Sequence, residues 1–111
     1  MHRTLIVAKL NPGATPGIAD VFGTSDSTEL PHMIGVSRRT LFSFHDLYFH
    51  LVEAEDDITP SLYRARKHPL YDDINTRLRE FVQPYDPNWA EPKDAMANPF
   101  YVWTPTEGRV L

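Results

Sequence analysis

Apolar residues recur along this chain with two different periods, and the switches between them outline a fold. Arg3–Leu10 is rich in apolar and β-branched residues, as a strand requires. Beyond Asn11-Pro12-Gly13 the spacing becomes helical: Ile18, Val21 and Phe22 share one stripe, with Ser25 next on it and Asp26 four after Phe22. Val36–Phe44 and Leu47–Glu53 return to strand composition, parted by His45-Asp46, a candidate two-residue turn without the usual glycine. Leu62 and Ala65, then Leu70, Ile74, Leu78 and Phe81, mark a pair of helices, and Phe100-Tyr101-Val102-Trp103 a last strand. The predicted order is strand, helix, strand, strand, helix pair, strand. That order describes an α+β, ferredoxin-like βαββααβ subunit with an antiparallel sheet, filling residues 1–111 as one domain.

The prolines punctuate this plan. Pro16, Pro60 and Pro69 each fall where a helix begins, with Thr15 and Thr59 as candidate caps. Pro84 follows the last apolar residue of the third helix and reads as its stop. Gln83–Ala97 reads as a long irregular connection, a lid or a dimer contact.

A turn at His45-Asp46 sets the hairpin register: Phe44 opposite Leu47, Phe42 opposite Phe49, Leu41 opposite His50. Side chains alternate across a sheet, so two faces follow. Thr40, Phe42, Phe44, Leu47, Phe49 and Leu51 make one face, almost wholly apolar. A four-stranded sheet with helices on one side leaves such a face bare, and a second copy of the chain is its natural cover, giving a homodimeric α+β barrel. The other face mixes Leu41 and Val52 with Arg39, Ser43, Tyr48 and His50, which suits a cavity between sheet and helices. Ser25 and Asp26 end the first helix and turn toward that cavity.

Composition narrows what the cavity can do. Apolar residues at 41% and charged residues at 23% place the chain among globular proteins. Its net charge of −4 argues against nucleic acid or anionic membranes as general partners. There is no cysteine, which removes disulfides, thiolate nucleophiles and Cys-ligated metals. No segment reaches the length of a membrane helix, and the start lacks the pattern of a signal peptide, so a cytoplasmic location is expected. Histidine spacings match no metal motif, and the five glycines form no phosphate loop.

Acid–base and positioning chemistry remains. His50 is either a packed core histidine or an acid–base group titrating near neutrality. Arg39 is either a structural ion pair with Asp26 or another carboxylate, or a stabiliser of an enolate or alkoxide oxygen, and the two roles are compatible; Asp26 is alternatively a local turn or capping residue. Tyr48, Ser43 and Ser25 are candidate substrate-orienting hydroxyls.

The residues that make these faces also resemble a known family. Asp26-Ser27-Thr28-Glu29-Leu30-Pro31, Ile34-Gly35-Val36, Arg38-Arg39, Phe44-His45-Asp46-Leu47-Tyr48, His50-Leu51, His68-Pro69-Leu70, Pro84-Tyr85 and the closing Phe100-Tyr101-Val102-Trp103 are similar to tetracenomycin-type aromatic polyketide cyclases. The likeness runs through essentially the whole chain. It implies a cofactor-free, homodimeric enzyme of type II polyketide synthesis, working beside other synthase components. Such an enzyme closes and aromatises a late ring of a partly cyclised polyketide by aldol condensation and dehydration. Asp26, Arg39 and His50 match the family's active-site set. Ser25 departs from it, standing where the best-known member of the family has a histidine before the aspartate. The same size and fold also suit a cofactor-independent quinone-forming monooxygenase, or a non-catalytic polyketide-binding subunit.

Overall fold

The hairpin forms in the predicted register. In a computed structural model that describes residues 1–111, strands β2 (Arg38–Phe44) and β3 (Leu47–Ala54) pair antiparallel. Arg38 lies opposite Glu53 and Phe44 opposite Leu47. His45 supplies the turn's positive φ of 53°, a conformation that histidine adopts more readily than most side chains. Strand β1 (His2–Leu10) lies along the other side of β3, and β4 (Val82–Pro84) pairs with the end of β1. The sheet order is β2-β3-β1-β4, antiparallel throughout.

The fourth strand is therefore not Phe100–Trp103. Helix α4 (Pro69–Leu78) ends earlier than its apolar stripe suggests, and after a short turn the chain enters the sheet directly as β4. Pro84 is part of this strand, not a helix stop; an edge strand accommodates a residue without an N–H. Phe81 lies past the helix and packs its ring over Gly17, where an added Cβ would meet the ring at 2.5 Å. That contact explains a glycine inside helix α1 (Thr15–Ser25). Trp103–Thr104 (β5) instead pairs with Gly108–Arg109 (β6) in a separate hairpin. The presumed irregular stretch after β4 also carries order. A 3₁₀ turn over Pro92–Ala95 leads to Met96, which bridges to Ile6 and continues the β4 edge along β1.

Prolines open the first turn of α1, of α3 (Thr59–Ala65), of α4, and of a short helix α2 (Leu30–Ile34) that the apolar pattern does not reveal. Five residues are too few to show a period. Thr15 and Thr59 are helical residues rather than caps. Asp57 takes over the capping task for α3, accepting from the Thr59 N–H at 2.9 Å and its hydroxyl at 2.7 Å. Those bonds hold the Asp57 carboxyl below its ordinary pKa. At α4, His68 Nδ1 accepts from the Leu70 N–H at 3.1 Å.

The helices cover one face of the sheet, and the core lies between them: Ile18, Phe22, Leu30, Leu62 and Ile74 meet Val52. The opposite face stays open, with Phe42 51% and Phe44 62% exposed at its edge. No helix is long and apolar enough to cross a membrane.

Candidate active site

Strand alternation brings the site together. His50 lies opposite Leu41 on β2 and Ile6 on β1, so Arg39 is its diagonal neighbour on the same face. Such diagonals lie within reach of a long side chain. The Arg39 guanidinium spans this gap and is held from both sides. Its Nη1 lies 2.8 Å from His50 Nε2, and its Nη2 donates to Asp26 Oδ1 at 2.7 Å. Arg39 Nε also donates to both Asp26 oxygens, at 3.2 and 3.1 Å. Asp26 follows the last residue of α1, whose C-terminal carbonyls favour a cation nearby. Phe22, one turn back on α1, lies beneath both partners. Its ring centroid is 4.7 Å from the Arg39 guanidinium carbon and 5.1 Å from the His50 ring, which it meets edge-on.

This geometry fixes the state of the imidazole. A guanidinium has donors only, so His50 Nε2 must accept and the ring proton must sit on Nδ1. Burial disfavours the charged ring, and the Arg39 charge disfavours it further; together they push the His50 pKa down to about 3. His50 is therefore a neutral donor at physiological pH. Nδ1 has no protein partner, yet no fully buried side-chain polar atom goes unpaired, so Nδ1 must keep open surface. The same reasoning applies to the Tyr48 hydroxyl, whose pKa burial raises.

Both residues line a cavity of about 300 Å³ between the sheet and the helices, which is walled mainly by apolar side chains. His50, Arg39, Tyr48 and Ser25 are among its polar lining groups. Asp26 does not line it and acts on it only through Arg39. Ser43 is the exception among the expected residues. It shares the face of Tyr48 but lies beyond the helices, exposed and outside the cavity wall. Sequence reasoning also missed the wall contributed by α4 and the chain after it. Tyr71, Asn75 and Arg79 line the cavity at intervals of four residues, and Trp89 faces it from beyond β4. That spacing beside the Leu70, Ile74 and Leu78 stripe is the signal that would have found them. No three His, Asp or Glu side chains converge as a metal cage needs.

A buried neutral histidine has a measurable consequence. Between about pH 6.5 and 3 the unfolded chain binds a proton at this position that the folded chain refuses. Stability falls as pH drops through that window, by up to about 1.4 kcal/mol per unit from this group. His50→Gln, which keeps an acceptor for Arg39, is expected to flatten the decline. Urea midpoints of both proteins at pH 7 and pH 4.5 measure it.

The chain is similar to known proteins in sequence and in fold. The family model described as "polyketide synthesis cyclase" matches residues 2–104. The chain is 48% identical over 103 residues to tetracenomycin F2 cyclase of Streptomyces glaucescens, covering 93% of this chain and 94% of that protein. It is 52% identical over 108 residues to an uncharacterised protein of Streptomyces coelicolor, covering 96% of this chain and 97% of that one. Polyketide synthase CurG of Streptomyces cyaneus is 43% identical over 104 residues, with 93% of this chain and 97% of that protein covered. The solved structure of the Streptomyces glaucescens cyclase, described as a type II polyketide cyclase, superposes with a TM-score of 0.87, covering 94% of this chain and 98% of that chain.

Proposed function

The chain belongs to the polyketide synthesis cyclase family, and we propose that its cavity closes and aromatises a late ring of a partly cyclised aromatic polyketide, comparable to tetracenomycin F2. The reaction is an aldol condensation followed by dehydration, run without a cofactor in the cytoplasm beside the other synthase components.

The observation that carries this reading is the Arg39–His50 contact at 2.8 Å. It turns a buried imidazole that lines the cavity into an N–H donor with a fixed tautomer, the form suited to polarising a ketone oxygen. A poly-β-ketone needs little help to lose a proton, because the methylene between two carbonyls is already acidic. The enolate carbon forms a bond to a ketone carbon, and the carbonyl electron pair moves onto oxygen. His50 Nδ1–H donates to that oxygen as its charge grows. Arg39 strengthens the donor by pulling on Nε2 and supplies positive charge behind it, while Asp26 keeps the guanidinium in place. The oxygen takes up a proton, and loss of water with the neighbouring C–H proton gives the double bond that completes the ring. Tyr48 and Ser25 orient the substrate's oxygens, and the apolar walls hold one of its many folded forms.

A rate assay on a partly cyclised substrate tests this. The new conjugated ring is expected to appear faster with the protein than in buffer, with no oxygen consumed. Oxygen uptake would instead mark a monooxygenase, and binding without acceleration a carrier subunit.

The proposal includes a homodimer across the open sheet face. Phe42 and Phe44 on that face have no cover within one chain, and Phe100, Tyr101 and Trp103 are likewise exposed. Light scattering is expected to give twice the chain mass for the wild type and the single-chain mass for Phe42→Glu combined with Phe44→Glu. A monomeric wild type would refute the dimer.

A further inference from the structure

The cavity runs across the sheet, and its two ends carry different charges. At the β2–β3 end the Arg39 guanidinium is matched by Asp26. At the β4 edge stands a second arginine, Arg79, which lines the same cavity; its carbonyl accepts from Gln83 Nε2 at 3.3 Å, but its guanidinium makes no ion pair or hydrogen bond. The other arginine near the end of α4, Arg77, is occupied by Asp73 at 3.2 Å. Arg79 directly follows the last helical residue of α4, four residues after Asn75 and eight after Tyr71, so all three descend one helix face into the cavity. The Asn75 side-chain amide is also without a protein partner. Across the mouth, the Trp89 indole faces the same space from the segment after β4.

We propose that Arg79, with Asn75, forms a carboxylate-binding subsite at the β4 end of the cavity, and that it fixes which end of the polyketide meets His50. This rests on the cyclase reading of the cavity. One unpaired guanidinium beside a neutral amide matches a planar monoanion; a phosphate dianion would call for further cations, and none lines the cavity there. The span fits as well. His50 on β3 is two strand spacings from β4, about 10 Å. A linear polycyclic aromatic with a carboxylate at one end and a reacting ketone toward the other bridges that distance, its rings against Trp89. Arg79 is a positioning residue: it touches the substrate far from the bond that forms, and its loss lets the molecule enter in the reverse sense.

Calorimetric titration with a hydroxyanthraquinone carboxylic acid and its methyl ester tests the subsite. The wild type is expected to bind the acid about fivefold more tightly than the ester, an advantage that shrinks with added salt. Arg79→Gln is expected to bind the two alike, with ester affinity unchanged, Arg79→Lys to keep part of the preference, and Arg77→Gln to keep all of it. An equal preference for acid and ester in the wild type, an undiminished preference in Arg79→Gln, or an equal weakening of both ligands by that change would overturn the subsite and leave the cyclase reading standing. If neither ligand binds the wild type, the subsite falls, while the cyclase reading is decided separately by the rate assay on the partly cyclised substrate.

Discussion

Replacing His50 with alanine is expected to lower kcat for ring closure by about 10²–10³ while KM changes little, as removal of a preorganised donor to a developing oxyanion does. In the proposed reaction the donor works only once charge has moved onto the ketone oxygen, so its loss would be felt in the transition state rather than in binding. Alanine also removes the ring that packs edge-on against Phe22, and a truncation at a buried position costs about 2–4 kcal/mol of stability. His50→Gln separates the two effects. Its amide oxygen accepts from Arg39 and its amide N–H₂ faces the cavity, so part of the rate is expected to return. Steady-state kinetics on all three proteins, with urea midpoints as the folding control, distinguish a donor from a packed ring. Equal rates in the wild type and the alanine variant would reduce His50 to packing.

Arg39→Met is the second large effect, and its signature lies in the pH profile. The Arg39 charge is the lesser of the two causes that depress the His50 pKa, burial being the greater. Without it the imidazole stays below its ordinary value but rises from about 3. The wild type should therefore show no loss of activity through His50 protonation until strongly acid pH, whereas Arg39→Met is expected to lose activity at a distinctly higher pH. At neutral pH its kcat is expected to fall about 10–100-fold, because Nε2 no longer has a fixed donor and the tautomer is free to change. The stability cost is small, about 1 kcal/mol, since the Asp26 partner is 39% exposed. Asp26→Asn should behave as a milder copy, with Arg39 present but less firmly placed. Superimposable pH profiles for wild type and Arg39→Met would contradict the link between the two residues.

Much of this site was legible in the sequence because a hairpin has a strict period. Once His45-Asp46 is taken as the turn, the placement of Arg39 and His50 on one face follows from counting, and the observed pairing of Leu41 with His50 agrees. The helical stripe Ile18, Val21, Phe22 likewise carried Ser25 to the cavity and Asp26 to the guanidinium. What alternation does not contain is where the covering helices stop. Ser43 lies on the right face but beyond their cover, which is why it falls outside the cavity. The fourth strand was missed because Val82–Pro84 is three residues long, ends in proline and follows a helix whose apolar stripe continues in sequence to Phe81, past the helix end at Leu78. Its stability comes from pairing with β1, a contact distant in sequence. The α4 wall was overlooked for a related reason: Asn75 and Arg79 look like solvent-facing residues until the position of β4 shows that a cavity lies beside them.

In the proposed reaction this cavity joins two carbons of a polyketide and expels water. The most direct test is the mass of the product formed when purified protein is added to a partly cyclised intermediate made by a minimal polyketide synthase with its early cyclases. The expected product is lighter than the substrate by one water, has one more aromatic ring, and forms rapidly with the wild type and slowly with His50→Ala. A product that has gained oxygen, or an unchanged substrate in the presence of active wild-type protein, would contradict it.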